Sequence, residues 1–161
     1  RSISDTLSSE FFTKVNVGIG TPVVGVKDLA RSFKEAQTAL EVGKVFDTDK
    51  NIVSYDNLGI ARLIYHLPTT LCETFLKEVF KKNSIESLDH ETLFTIQKFF
   101  ENSLNVSETS RKLFVHRNTL VYRLDKIKKL TGLDLREFDH AIIFKIALMV
   151  KKYLAANPTK F

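Results

Sequence analysis

Apolar and polar residues follow different patterns in the two halves of the chain. Helical spacing of apolar residues predicts a helix over residues 2–14, and alternating β-branched residues predict a strand over 15–19. A second helix is predicted over 28–42, closed by Gly43 as its C-cap, and a second strand over 52–55. Two strands are too few for a stable sheet. We therefore expect that a partner portion lies upstream or that this half pairs with another chain.

After residue 57 the apolar spacing predicts helices alone. The expected helices cover residues 58–66, 70–82, 89–102 and 139–155. Pro68 separates the first two because proline is excluded from a helix interior. A polar linker is expected over 83–88, and Asp89 is the expected N-cap of the helix that follows.

Two apolar stripes indicate which helix faces should be buried. In the helix over 28–42 the stripe comprises Leu29, Phe33, Ala36 and Leu40. In the helix over 139–155 the inward residues are expected to be Ile142, Ile143, Ile146, Ala147, Val150 and Leu154. The predicted fold class is mixed, with an incomplete α/β portion (1–57), connecting helices and a linker (58–85), and an all-α domain (86–161).

Positive charge is concentrated in one segment of the chain. Residues 107–129 contain seven Lys or Arg and two acidic residues, so this segment carries the whole net charge of +5. A localised basic patch on a neutral body is typical of proteins that bind polyanions. An ordinary solvated face also accounts for a basic run, so charge alone does not decide the function.

The basic segment has the pattern of two short helices joined by a turn. Ser107 is the expected N-cap of a helix that runs to Phe114, and residues 115–116 form the turn. The second helix is expected over 117–130 and ends at Gly132. Two such helices form a helix-turn-helix, in which the second helix enters the major groove of DNA.

The predicted second helix has an apolar and a polar face. Leu120, Leu124 and Ile127 share one stripe and should pack inward. The expected base-reading residues are His116, Arg117, Asn118, Val121 and Tyr122. The expected phosphate-binding residues are Arg111, Thr119, Arg123, Lys126 and Lys129. A helical hairpin that packs on another domain would explain the leucine stripe, but it would not explain a charge surplus on the opposite face.

The segment VHRNTLVYRL (residues 115–124) stands between NVSET (105–109) and LTGLDL (130–135). Together they resemble the C-terminal helix-turn-helix of PucR/CdaR-type regulators, with Ser110 and Phe114 as mild departures. Residues 15–20, followed by the pairs at 28–29, 35–36 and 39–40, resemble the end of the GGDEF-like middle domain of this family. The GGDEF signature itself is absent from the sequence.

The resemblance implies a cytoplasmic, sequence-specific transcription regulator that binds double-stranded DNA. It further implies that a small-molecule effector is bound by a region upstream of this chain. Symmetric half-sites about one helical turn apart favour a homodimer. The alternative from another class is a protein-interaction or oligomerisation module, and a third is an enzyme descended from nucleotide cyclases.

Other constellations in the sequence are weaker. Gly18 and Gly20 lack the further residues of a phosphate-binding loop, so we interpret them as turn residues beside a strand. The four histidines show no metal-ligand spacing, and the single Cys72 fits an inert thiol in a reducing compartment. We expect no catalytic residues, no cofactor, no metal and no membrane span.

Overall fold

The computed structural model describes residues 2–13, 15–47, 49–80 and 88–157. In chain order its helices and strands are α1 (Ser2–Phe11), β1 (Val17–Ile19), α2 (Leu29–Phe46), β2 (Ile52–Ser54), α3 (Ile60–Tyr65), α4 (Thr69–Val79), α5 (His90–Glu101), α6 (Val106–Lys112), α7 (Arg117–Thr131) and α8 (Phe138–Ala156). Short 3-10 helices at Val26–Asp28 and Tyr55–Asn57 precede α2 and α3. The mixed fold class is confirmed, because both described strands lie in the N-terminal half.

The chain divides into two compact units. The first comprises Arg1–Thr69 with Met149–Phe161, and the second comprises Thr70–Leu148. Most of the linker expected over 83–88 lies outside the described residues. No helix in the described part of the chain combines the length and the apolar character that a membrane crossing requires.

The first unit is built on a parallel pair of strands. Val17 of β1 lies opposite Ile52 of β2, and the pairing continues to Ile19 and Ser54. Parallel strands need a crossover connection, and α2 supplies it. The core of this unit is formed by buried residues of α2, β2, α3 and the turn before α3, namely Ala39, Val42, Val53, Leu58 and Ala61.

Two glycines allow α2 to pack directly against β1 and the residues after it. A Cβ atom at Gly18 would lie 2.2 Å from the carbonyl oxygen of Ala36, and one at Gly20 would lie 2.0 Å from that of Ser32. Neither glycine has a positive φ. The structure therefore corrects the interpretation of this pair as turn residues, because close approach of two backbones is what excludes a side chain here.

The structure also corrects the predicted end and buried face of α2. Gly43 lies inside the helix, which continues to Phe46 and ends at Asp47. Gly43 is buried against β2, where a Cβ atom would lie 2.7 Å from Cγ2 of Val53. Leu29 and Phe33, expected inward, are exposed, Phe33 by 66%. The buried residues of α2 thus lie in its second half and outside the predicted stripe.

The second unit has an extensive core of helical residues. Its buried members include Ile96, Phe99, Leu120, Leu124, Ile127, Leu135, Phe144 and Ala147. The expected N-cap of α5 is confirmed, since Oδ1 of Asp89 accepts a hydrogen bond from the backbone N–H of Thr92 at 2.7 Å. The stripe predicted for α8 is rotated, because Ile142 is 40% exposed whereas Ala141 and Phe144 are buried.

Candidate nucleic-acid interface

Helix α6 begins two residues before the predicted position. Oδ1 of Asn105 accepts a hydrogen bond from the backbone N–H of Glu108 at 3.0 Å, so Asn105 is the N-cap. Ser107, the predicted N-cap, lies in the first turn, and its carbonyl oxygen accepts the hydroxyl of Ser110 at 2.9 Å. Asn and Ser are both favoured N-cap residues, so the sequence alone did not distinguish the two starts.

A tight turn connects α6 to α7. The backbone N–H of Phe114 donates to the carbonyl oxygen of Arg111 at 3.1 Å, and that of Val115 donates to Ser110 at 3.0 Å. This pair of hydrogen bonds closes the end of α6 while Phe114 adopts a left-handed φ of 54°. Val115 packs against the core of the second unit, and this contact holds the turn in place.

Each end of α7 is capped by the residue that flanks the helix. Nδ1 of His116 accepts a hydrogen bond from the backbone N–H of Asn118 at 3.3 Å, which makes His116 the N-cap. Gly132, with φ of 79°, ends the helix as predicted, and its N–H donates to the carbonyl oxygen of Lys128 at 2.8 Å. The inward stripe is also confirmed, because Leu120, Leu124 and Ile127 are buried.

The residues predicted to read bases lie on the surface of α7 and its N-cap. His116, Arg117 and Asn118 are exposed, Tyr122 is 71% exposed, and Val121 is half-buried. At 100° per residue, Asn118 and Tyr122 lie on the face opposite the buried leucines. The fold thus presents hydrogen-bonding side chains at the start of α7, where a groove-entering helix would need them.

Of the residues predicted to bind phosphate, three form ion pairs within the chain, and the other two are exposed on α7. Arg123 is half-buried: it forms an ion pair with Glu91 of α5 and donates to Oγ1 of Thr95 at 3.2 Å. Arg111 forms an ion pair with Glu108, and Nζ of Lys126 lies 3.5 Å from Oδ2 of Asp89. Thr119 and Lys129 are exposed.

Three exposed cations of this region stand apart from the ion pairs. Within the described ranges, Lys112, Arg117 and Lys129 lie on α6 or α7 and form no salt bridge with an acidic side chain. Their side chains are therefore available to an anionic partner.

A buried carboxylate anchors the C-terminal half of α7. Asp134 accepts hydrogen bonds from Nε of Arg136 at 2.8 Å, from Nη2 of Arg136 at 2.9 Å and from Nζ of Lys128 at 3.1 Å. Nη2 of Arg136 also donates to Oδ1 of Asp125 at 2.7 Å. The hydrogen bonds from Arg136 hold the pKa of Asp134 well below its usual range. This network ties two positions of α7 to the segment before α8.

The hydrogen-bond network around Asp134 is not predicted by the sequence analysis. Lys128 and Asp125 are among the charged residues of segment 107–129, and no local pattern in the sequence pairs them with residues after α7. The available signal is the acidic and basic pair at positions 134 and 136, two and four residues after the glycine that ends α7. Because the chain reverses there, both residues return to the surface of the helix that they follow.

Comparisons with known proteins agree with this geometry. Residues 92–150 match the model of the PucR C-terminal helix-turn-helix domain, and residues 1–42 match that of the GGDEF-like domain. The carbohydrate diacid regulator of Escherichia coli (strain K12) is 31% identical over 139 residues, which cover 85% of this chain and 36% of that protein. The purine catabolism regulatory protein of Bacillus subtilis (strain 168) is 26% identical, covering 92% of this chain and 28% of that protein.

A third relative is the proline-responsive transcriptional activator PutR of Bacillus subtilis (strain 168). It is 27% identical over 146 residues, which cover 87% of this chain and 35% of that protein. The chain thus spans about a third of the length of these curated relatives. The resemblance identified from the sequence is confirmed: the chain carries a PucR-type helix-turn-helix domain at residues 92–150, preceded by a GGDEF-like segment at residues 1–42.

Proposed function

We propose that the chain is the DNA-binding part of a transcription regulator and that α7 reads a specific sequence in duplex DNA. The observation that carries the proposal is the division of α7 into two faces. Leu120 and Leu124 are buried, while Asn118 and Tyr122 lie exposed on the opposite side. The relatives support the same function, since their names describe regulators and a transcriptional activator. Residues 86–161 would form the DNA-binding domain.

The side chains at the start of α7 suit distinct parts of the base edges. Asn118 has the amide geometry for a bidentate contact with adenine, and Arg117 has the planar guanidinium for guanine. Val121, half-buried on the helix, fits a thymine methyl group. His116 already caps α7 through Nδ1, so a base contact by this residue would use Nε2. Tyr122 would contact a base edge or phosphate through its hydroxyl.

The ion pairs within the chain distinguish the side chains that are free to bind phosphate from those that are not. Lys129 and Thr119 are exposed and suited to phosphate oxygens, and Arg111 and Lys126 have only exposed partners that phosphate can displace. Arg123 is different because it is half-buried between Glu91 and Thr95 of α5. We assign Arg123 to holding the orientation of α7, and Lys112, which forms no ion pair in the described part of the chain, is available for phosphate.

Dimerisation and effector binding belong to the same proposal. One helix-turn-helix buries little surface, so a homodimer on two half-sites about one helical turn apart would supply affinity. The relatives are about three times as long as the stretch matched here. We propose that a region outside this chain binds the small-molecule effector, and that the protein acts in the cytoplasm.

The test begins by selecting duplexes from a random library with the 161-residue chain. Affinities of the selected duplex and of scrambled duplexes are then measured at several salt concentrations. Asn118→Ala should lose roughly 1–3 kcal/mol on the selected duplex and relax its base preference. Lys129→Ala should weaken all duplexes alike and reduce the salt slope by about one.

Lys44→Ala serves as the matched control, since Lys44 is an exposed lysine of α2 in the other unit. Its affinity and salt slope should equal those of the unsubstituted chain. If the selected duplex binds Asn118→Ala and Lys129→Ala as well as it binds the original chain, α7 is not the DNA-reading helix.

A second candidate function is a protein-interaction or oligomerisation module. It is favoured by exposed apolar residues in the first unit, among them Val26, Leu29 and Phe33. Sedimentation over a range of concentrations would detect self-association, and Phe33→Asp should abolish it if this face is the contact. Self-association that depends on Phe33 without any duplex binding would favour this function over DNA reading.

A further inference from the structure

Phe114 occupies an unusual position in the turn between α6 and α7. Its φ is 54°, in the left-handed region that glycine adopts freely and bulky residues rarely adopt. Its side chain is 95% exposed. The residue therefore combines backbone strain with an apolar ring in solvent, and both features are unfavourable for the isolated protein.

Packing within the protein does not explain this choice of residue. Leu104 also has a positive φ, of 61°, but its side chain packs against the core of the second unit. That burial offsets the strain at Leu104. Phe114 has no comparable burial, although glycine would close the turn with the same two backbone hydrogen bonds. Backbone strain of this kind is concentrated at functional positions in proteins.

The neighbours of Phe114 indicate the chemistry of its partner. Arg111 and Lys112 precede it at the end of α6, and Arg117 begins α7 three residues later. All three are exposed. A second copy of this basic surface would be repelled by it, whereas a polyanion would be attracted. A nucleic acid would satisfy both kinds of side chain. Its phosphates would bind the cations, and its apolar groups would contact the aromatic ring.

We infer that Phe114 contacts DNA directly, with its ring against a deoxyribose or a thymine methyl group next to the groove that α7 enters. The inference rests on the proposed function and adds an apolar anchor to its polar contacts. Phenylalanine is suited to a thymine methyl, and the carbon-bound face of a deoxyribose is the other apolar surface that a duplex offers beside its phosphates. Contact with the duplex would remove the exposed ring from water.

Replacing Phe114 by glycine separates this role from a structural one. Phe114→Gly removes the strain and the ring together, so the melting temperature should stay the same or rise while affinity for the selected duplex falls. Loss of the burial of one phenylalanine ring against the duplex is expected to weaken binding by up to roughly 150-fold. The salt slope should not change, since no charge is removed. Phe114→Tyr should keep most of the affinity.

Phe12→Gly is the matched control. Phe12 has a φ of 50° and is 93% exposed, but it follows Glu10 and Phe11 rather than a pair of cations. This variant should bind the duplex like the original chain. Replacing individual thymines by uracil in the duplex identifies the atom contacted: a loss seen with the original chain and not with Phe114→Gly indicates the methyl group, and equal affinities indicate the deoxyribose.

The outcomes distinguish this inference from the function on which it rests. If the original chain selects no duplex, both fail. If the original chain binds and Phe114→Gly binds equally well, the inference alone is overturned. A lower melting temperature for Phe114→Gly would also overturn it, because the ring would then stabilise the fold itself.

Discussion

The two units differ in how completely their own residues cover their apolar side chains. In the second unit Phe99, Leu120 and Phe144 are fully buried within one core. In the first unit the core is confined to the end of α2 and its neighbours, while Leu29 and Phe33 face solvent. A two-stranded sheet covers too little area to bury a helix along its whole length. Apolar periodicity therefore predicts a buried face correctly only where a partner surface covers it, as in α7, whereas the buried residues Ala39, Val42 and Val45 of α2 lie outside the predicted stripe.

The sharpest test of this contrast is to shorten one phenylalanine in each unit. Phe99→Ala should lower the free energy of unfolding by about 3–5 kcal/mol, because it leaves a cavity in a packed core. Phe33→Ala should change it by less than about 0.5 kcal/mol, as is usual for an exposed site. Denaturant titration followed by circular dichroism measures both. Equal losses in the two variants would show that Phe33 is buried in solution.

The network around Asp134 adds an electrostatic contribution to the second unit. Asp134→Asn should cost about 1–3 kcal/mol, since it weakens hydrogen bonds to Arg136 and Lys128 in a buried position. The folded state holds the pKa of Asp134 below its usual range, so the carboxylate stabilises the fold above the unfolded value of about 3.9. This stabilisation is lost as the pH falls below that value.

Thermal melts from pH 7 to pH 2 check the sign of this effect. The melting temperature of the original chain should fall more steeply below about pH 4 than that of Asp134→Asn. Asp28→Asn in the first unit is the control, because Asp28 is exposed and, among the described residues, forms an ion pair only with Arg31, at 3.8 Å. Parallel curves for the original chain and Asp134→Asn would contradict the role given to the buried carboxylate.

The smallest expected difference concerns helix caps. The side chain of Asn105 caps α6 in the second unit, whereas Asp28 before α2 in the first unit makes no such hydrogen bond. Asn105→Ala should cost about 1 kcal/mol, and Asp28→Ala should cost much less. Ser107→Ala should also be nearly neutral, since Ser107 lies within α6 and is exposed. A larger loss for Ser107→Ala than for Asn105→Ala would restore the start of α6 that the sequence predicted.

The same comparison explains what the sequence could predict. The stripe of Leu120, Leu124 and Ile127 and the cap at Gly132 are local features of one helix, and the structure confirms them. The pairing of Arg123 with Glu91 joins residues 32 positions apart, so no local pattern indicates it. The prediction for Gly43 is wrong because a glycine near the end of an apolar pattern resembles a C-cap, although here it makes room for β2.

The glycines beside β1 have a consequence for which substitutions the first unit can accept. In a saturation library scored for folded protein, positions 18 and 20 should retain glycine alone, because even a methyl group would meet the backbone of α2. Position 25 should accept alanine, since the nearest atom to a Cβ there is Oδ2 of Asp28 at an ordinary 3.6 Å. In such a library the two glycines would be as intolerant of substitution as those of a ligand-binding loop. The cause, however, would be the packing of a helix on a strand.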